Sequence, residues 1–128
     1  DQEIIPIVSP VSMEENSDSV LNTNADIAAS SLAAEMNVAK LVYISDVLGV
    51  LRDPDDVSTL IITIKCSEVK GLSDVGIISG GMLPKLNSAI QAIESGVGKV
   101  HMIDGRIPHS LLLEIFTNTG IGTEIVPS

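Results

Sequence analysis

Apolar and polar positions fall in blocks along the chain, and the period of each block predicts an element. Ile4 to Val8 runs almost without polar relief and predicts a short buried strand, with Pro6 favouring a sheet edge or a strand end. Met13 to Ser19 turns to Glu, Asn, Asp and Ser and reads as a solvated loop. Ile27, Ala28, Ala29, Leu32, Ala33 and Met36 then recur at helical spacing, with Asn24 as N-cap and Asp26 in the first turn. Leu41 to Ile44 is a second buried strand that ends at Ser45-Asp46. The apolar stretch Val47 to Leu51 follows and is closed by the turn residues Asp53-Pro54-Asp55-Asp56. Leu60 to Ile64 reads as a β-branched strand and Ser67 to Val75 as a short helix interrupted by Gly71. Leu86, Ala89, Ile90 and Ile93 mark another helix, which tolerates Pro84 in its first turn and stops at Gly96. Lys99 to Ile103 is a third buried strand, Leu111 to Phe116 a short apolar helix and Thr123 to Val126 a last strand. Strands alternating with helices predict an α/β fold with a mainly parallel sheet. Ligands in such sheets bind at the carboxyl ends of strands, here the loops after Val8, Ile44 and Ile103.

Composition narrows the function classes. With 128 residues and 45% hydrophobic side chains, the chain is long enough to bury one core and too apolar for intrinsic disorder. Seventeen acidic against seven basic residues give a net charge of -10, and one Tyr and one Phe are the whole aromatic content. Neither a basic footprint nor a base-stacking platform for nucleic acid is present. Cys66 is the only cysteine, which excludes an internal disulfide and a cysteine-based zinc site and points to a reducing, cytoplasmic setting. No apolar run approaches the ~20 residues of a membrane span, and Asp1 to Ile7 has neither the basic region nor the cleavage pattern of a targeting segment.

The strongest local chemistry is Gly80-Gly81 opening a helix with Lys85 in its first turns. Glycines permit close backbone approach, a helix N-terminus offers free N–H groups, and an ammonium adds mobile charge, so the segment suits a phosphate. The spacing is not that of a Walker A loop, and a tight packing turn beside a surface lysine is the competing reading. Asp26 either orients a lysine or ligand, or simply complements its helix dipole. Asn22 and Asn24 stand between turn, cap and ligand contact, and Asp46 between a cleft carboxylate and a turn initiator. His101 reads as a satisfied packing residue in an apolar strand. His109 reads as an N-terminal helix residue or an effector contact. Neither has zinc-like spacing to a third ligand, so no metal site is expected, and no G-x-S-x-G elbow supports a hydrolase.

Five segments in order carry a family resemblance: Asn22-Thr23-Asn24-Ala25-Asp26-Ile27-Ala28-Ala29, Lys40 to Leu51, Gly80-Gly81-Met82-Leu83-Pro84-Lys85, Asp104-Gly105-Arg106 through Thr117, and Gly120-Ile121-Gly122-Thr123. Together they resemble the carboxyl-terminal, nucleotide-binding half of the N-acetylglutamate kinase family, one of the amino acid kinases. The resemblance covers nearly the whole chain from Ile4, and the Asp-Gly-Arg to Gly-Ile-Gly-Thr stretch is its most specific part. It implies a three-layer α/β sandwich and transfer of the ATP γ-phosphoryl to the side-chain carboxylate of N-acetyl-L-glutamate, a step of arginine biosynthesis. It also implies that Lys85 neutralises the transferring phosphoryl, that Asp26 organises the catalytic lysines, and that Asn22, with Asn24 beside it, contacts the acetylated amino acid. Asp46, Val47, Leu48, Gly49, Val50 and Leu51, with Ile77, Ile78, Ser79, Gly80 and Gly81, are implied to line the nucleotide site. Magnesium would arrive with ATP, held mainly by its phosphates. His109, Glu114 and Gly120 resemble the arginine effector site of arginine-sensitive members; Glu114 is a chemically apt guanidinium partner or, alternatively, a helix-surface carboxylate.

The family's amino-terminal half is not among these residues. It carries the second Gly-rich phosphate loop, the other catalytic lysine and the arginine that holds the substrate carboxylate. Val11 to Val20 departs from the family too, carrying Met13, Glu14 and Glu15 where a glycine is usual. The expectation is a single nucleotide-binding half, inactive by itself and a homo-oligomer when complete. The alternatives are another amino acid kinase of the glutamate 5-kinase or uridylate kinase type, and a noncatalytic module that senses nucleotide or arginine.

Overall fold

A computed structural model describes residues 4–117 and 121–128. Strands β1 (Val11–Met13) and β2 (Val20–Asn22) form an antiparallel hairpin that presents only exposed residues. Helix α1 (Ala25–Glu35) starts where Asn24 caps it, its side-chain oxygen accepting from the backbone N–H groups of Asp26 and Ile27 at 2.9 and 3.2 Å. Then come β3 (Leu41–Ser45), a short 3₁₀ turn at Val57–Thr59, β4 (Thr63–Lys65), α2 (Cys66–Asp74), α3 (Met82–Glu94), β5 (Val100–Asp104), α4 (Ser110–Phe116) and β6 (Thr123–Val126).

The main sheet has the order β3-β5-β6-β4. Strands β3 and β5 run parallel, as do β4 and β6, while β5 and β6 are antiparallel. Every residue of β5 is buried, because both faces of that strand are covered. Val100 and Met102 share the core with Leu86, Ala89 and Ala92 of α3. Alternation along the strand turns His101 the other way, where it meets Glu114 of α4. Helices therefore lie on both sides of the sheet, which makes the three layers of an α/β sandwich.

Small side chains let α1 and α3 approach closely. Ala33 and Ser30 of α1 are buried beside Ser88, Ala89 and Ala92 of α3, and the Ser30 hydroxyl donates to the carbonyls of Asp26 and Ser88 at 2.8 and 3.2 Å. The hydroxyl of Tyr43, from β3, joins Ser30 and donates to the Asp26 carbonyl at 3.2 Å. Burial pushes this phenol's pKa up. The N-terminal end of α1, where Asp26 sits, is thus pinned to the sheet by a buried polar cluster.

Two expectations need correction. Ile4 to Val8 forms no strand, and Ile4, Ile5, Ile7 and Val8 are 70, 88, 96 and 68% exposed. An apolar run becomes a strand only where a neighbour supplies hydrogen bonds and a covering face, and none of the described residues does so here. The predicted ligand-binding loop after Val8 therefore has no strand end behind it. The strand expected over 60–64 is confined to Thr63–Lys65, since Leu60 instead makes an isolated antiparallel bridge with Leu51. Helix α4 forms as expected, yet it is inverted: Ser110 and Glu114 are buried while Leu112, Ile115 and Phe116 point outward, Phe116 80% exposed.

Candidate nucleotide site and a second polar cavity

The connection 95–99 is short, so α3 runs antiparallel to β5 and its first turn lies at the carboxyl end of that strand. Gly80 takes φ +56°, a conformation that costs a glycine little, and α3 then opens at Gly81 with no side-chain cap. In the next turn Lys85 Nζ meets Asp26 Oδ2 at 2.9 Å, with about a quarter of each side chain exposed. Two helix N-terminal regions, one aspartate and one lysine therefore converge at one end of the sheet. The pair is accessible rather than sealed, so the ammonium can turn towards an anionic ligand while Asp26 holds it in place.

Beside this pair lies a cavity of about 540 Å³. It is lined by the loop after β3, from Asp46 through Leu51, and by Val75, Gly76, Ile77, Ser79 and Met82 of the segment leading into α3. Arg52, Pro54, Val57 and Arg106 complete the lining. Thr123 fixes the loop after β3: its hydroxyl accepts from the Val50 N–H at 2.8 Å and donates to the Ile61 carbonyl at 2.8 Å. Gly49 has φ +147°, and a Cβ there would lie 2.5 Å from Thr123 Oγ1, so the loop can fold onto β6 only with glycine. Beyond Ile103, Asp104 ends β5 with its carboxylate buried and Arg106 wrapped onto it. The backbone N–H and Nε of Arg106 each donate to Oδ1 at 2.9 Å, and Nη2 donates to Oδ2 at 2.8 Å. These hydrogen bonds hold the Asp104 carboxyl below its ordinary pKa.

The family model described as the amino acid kinase family matches residues 1–104. This chain belongs to the amino acid kinase family. It is 56% identical to an acetylglutamate kinase of Akkermansia muciniphila over 97% of its own length and 42% of the relative's. With an acetylglutamate kinase of Methanobrevibacter smithii it shares 53% identity over 94% of this chain and 41% of the relative. The chain thus spans about two fifths of the length of the curated relatives it matches. Among solved structures it resembles an N-acetylglutamate synthase from Neisseria gonorrhoeae complexed with coenzyme A and N-acetyl-glutamate. That likeness has a TM-score of 0.82 at 32% identity and covers 93% of this chain and 27% of the other. A carbamate kinase from Giardia lamblia bound to AMP-PNP shares the fold, with a TM-score of 0.63 at 22% identity over 92% of this chain and 37% of that one.

Within this amino acid kinase chain the expected site residues divide. Lys85 and Asp26 are in contact, and Asp46 to Leu51, Ile77 and Ser79 line the cavity. Ile78 instead points into the core and is 2% exposed. Gly80 and Gly81 form the turn into α3 and do not line the cavity walls. Asn24 is occupied as the cap of α1, and Asn22 is exposed on β2. Among the described residues no three His, Cys, Asp or Glu side chains converge as metal ligands, and no helix is long and apolar enough to cross a membrane.

A second cavity, of about 360 Å³, lies on the other face of the sheet, between β5, β6 and α4. Glu114 is at its centre: it contacts His101 Nδ1 and Lys40 Nζ and accepts from the Ile121 N–H at 3.0 Å. Glu124 lies 3.2 Å from both His101 Nε2 and Lys99 Nζ. Burial draws the imidazole's pKa down against the pull of Glu114, and buried Nε2, although 3.2 Å from Glu124 Oε2, is not directed for a hydrogen bond with it. His101, expected to be a satisfied packing residue, thus leaves one nitrogen unmet. His109 caps α4 in a left-handed conformation and does not line the cavity; Gly120 lies outside the described residues. Lys40, Lys99 and Glu124 escaped the sequence reading, which has His101 only as a packing residue, because they are dispersed along the chain; the pairing of β3 with β5 and of β5 with β6 brings them around one cavity with Glu114.

Proposed function

We propose that this chain is the nucleotide-binding part of an acetylglutamate kinase, which transfers the γ-phosphoryl of ATP to the side-chain carboxylate of N-acetyl-L-glutamate. The observation that carries the reading is the Lys85–Asp26 pair at the entrance to α3, beside a cavity lined by the 46–51 loop. The similarity to acetylglutamate kinases over nearly the whole chain supports it. A carboxylate oxygen attacks the γ-phosphorus, the bond to the bridging oxygen breaks, and ADP leaves. The attacking carboxylate is already ionised and needs no general base, so alignment and charge stabilisation do the catalysis. Lys85 supplies positive charge to the transferring phosphoryl, and Asp26 positions Lys85 rather than accepting a proton. Magnesium enters on the nucleotide's phosphates. Apolar residues of the cavity walls, Val47, Leu48 and Ile77 among them, hold the base without an aromatic ring.

In this reading the acetylglutamate-binding half belongs to the remaining length of the relatives. The bare run Ile4 to Val8 and the apolar outer face of α4 are surfaces on which that half, or a further copy, packs. The second cavity takes arginine as an effector: Glu114 and Glu124 are the partners for its guanidinium, and Lys40 or Lys99 for its carboxylate. The test is ADP release by the full-length enzyme with acetylglutamate, glutamate and UMP in parallel. Turnover with acetylglutamate alone is expected; preference for glutamate or UMP overturns the substrate assignment. The chain of 128 residues alone is expected to release no ADP in response to acetylglutamate. Calorimetry that detects arginine but no ATP would instead make the chain a sensor.

A further inference from the structure

The Asp104–Arg106 clamp is more than a turn. Asp104 follows Val100 and Met102 on the face of β5 that packs under α3, so its carboxylate points to the side where α3 begins. Its side chain is only 7% exposed, whereas that of Arg106 is 68% exposed. A buried carboxylate therefore anchors a solvent-facing guanidinium. The anchor engages the backbone N–H, Nε and one edge of Nη2, which fixes the guanidinium plane and leaves Nη1 and the outer edge of Nη2 free. Arg106 also lines the cavity together with Met82, the first residue of α3, and Asp46, which Ser45 places beside it through its pairing with Asp104. Its position is thus at the carboxyl end of β5, the end of the sheet at which α3 begins after the Gly80–Gly81 turn and carries Lys85. A guanidinium held in a fixed plane, with donors to spare at the phosphate end of a nucleotide cavity, is suited to two-point recognition of phosphate oxygens.

We propose that Arg106, oriented by Asp104, binds the nucleotide's polyphosphate as a second cation alongside Lys85. This rests on the nucleotide reading of the cavity. In a chain of charge -10 with seven basic residues, a pre-positioned arginine at this point adds attraction that a mobile surface side chain would not. Asp104 acts as a positioning residue: it touches Arg106, not the ligand.

The experiment is an NMR titration of the isotope-labelled chain with ATP, inorganic triphosphate and adenosine, a method that reads millimolar affinities. Arg106→Ala should weaken ATP and triphosphate roughly 10-fold or more and leave adenosine unchanged, the loss expected for a charged hydrogen-bonding pair. Arg106→Lys should recover only part of that loss, since an ammonium lacks the fork. Asp104→Asn should weaken triphosphate binding with Arg106 still present. A spectrum that keeps its dispersion shows that each variant folds; should Asp104→Asn not fold, the Ala and Lys pair decides alone. Triphosphate affinity unchanged in Arg106→Ala, or an equal loss for adenosine, overturns the proposal while the nucleotide reading stands. If the unsubstituted chain shifts with none of the three ligands, the nucleotide reading falls and the role of Arg106 with it.

Discussion

Replacing Thr123 with valine keeps the shape of the side chain and removes its hydroxyl. That hydroxyl ties β6 to the cavity wall at Val50 and to the neighbouring Ile61, accepting from the Val50 N–H and donating to the Ile61 carbonyl, each at 2.8 Å. Thr123 is 1% exposed and Val50 2%, so water does not easily replace the lost partner. No cavity opens, because valine fills the same volume; the cost is two orphaned backbone groups. At about 1–3 kcal/mol for a buried unsatisfied group, with the carbonyl the cheaper of the two, Thr123→Val should destabilise the chain by roughly 2–4 kcal/mol. For a domain of this size that is a fall in Tm of about 10 °C. Thr123→Ser keeps both hydrogen bonds and loses one methyl, about 1 kcal/mol. Urea unfolding of the three proteins, followed by circular dichroism, measures the differences. Nucleotide affinity should fall with valine and not with serine, since the 46–51 loop loses its anchor only in the former. Valine equal to or more stable than serine would refute the argument, because burial of the extra methyl would then outweigh the loop's hydrogen bonds.

Other expectations follow from the same geometry. Lys85→Met in the full-length enzyme should lower kcat by about 10²-fold with a smaller change in the KM for ATP, and equal losses in both would reassign Lys85 to ground-state binding. Gly49→Ala forces a Cβ to within 2.5 Å of Thr123 Oγ1 at φ +147°, so a loss of roughly 2–4 kcal/mol should appear in the same unfolding assay. The Asp104 carboxyl is held below its ordinary value of 3.8 in the folded chain. Its contribution is therefore complete above that pH and is lost as pH falls towards the depressed value, because the unfolded chain takes up the proton first. Asp104→Asn should accordingly show a shallower acid limb than the parent when urea midpoints are compared as pH is lowered below about 4; identical limbs would mean that the clamp does not form in solution.

Local signals in the sequence were enough for the helices and the central strands, and for the glycine turn and lysine of the candidate site. The cap at Asn24, the helical spacing of Ile27 to Met36, and the buried runs at Leu41 and Val100 need only neighbours in sequence, and each element formed where the pattern put it. The glycine turn and Lys85 were legible for the same reason: a helix start is a local event. Resemblance in the order of motifs then carried the family. What the chain could not disclose by period or composition is whatever depends on partners distant in sequence. Ile4 to Val8 has the composition of a strand, but a strand exists only when another backbone pairs with it. Leu111 to Phe116 has the composition of a core helix, yet the buried face is the one with Glu114, because His101, Lys40 and the Ile121 N–H converge there and pair its charge. The clamp of Arg106 on Asp104 spans two residues, but its meaning comes from the pairing of β3 with β5 and the antiparallel run of α3, which set it at the mouth of the cavity. Backbone propensity and apolar period are properties of a few consecutive residues, and the sequence determined them alone. Which charges are neutralised, which nitrogen is left unmet and which side chains share a cavity are fixed by strand order, and only the tertiary structure decided those.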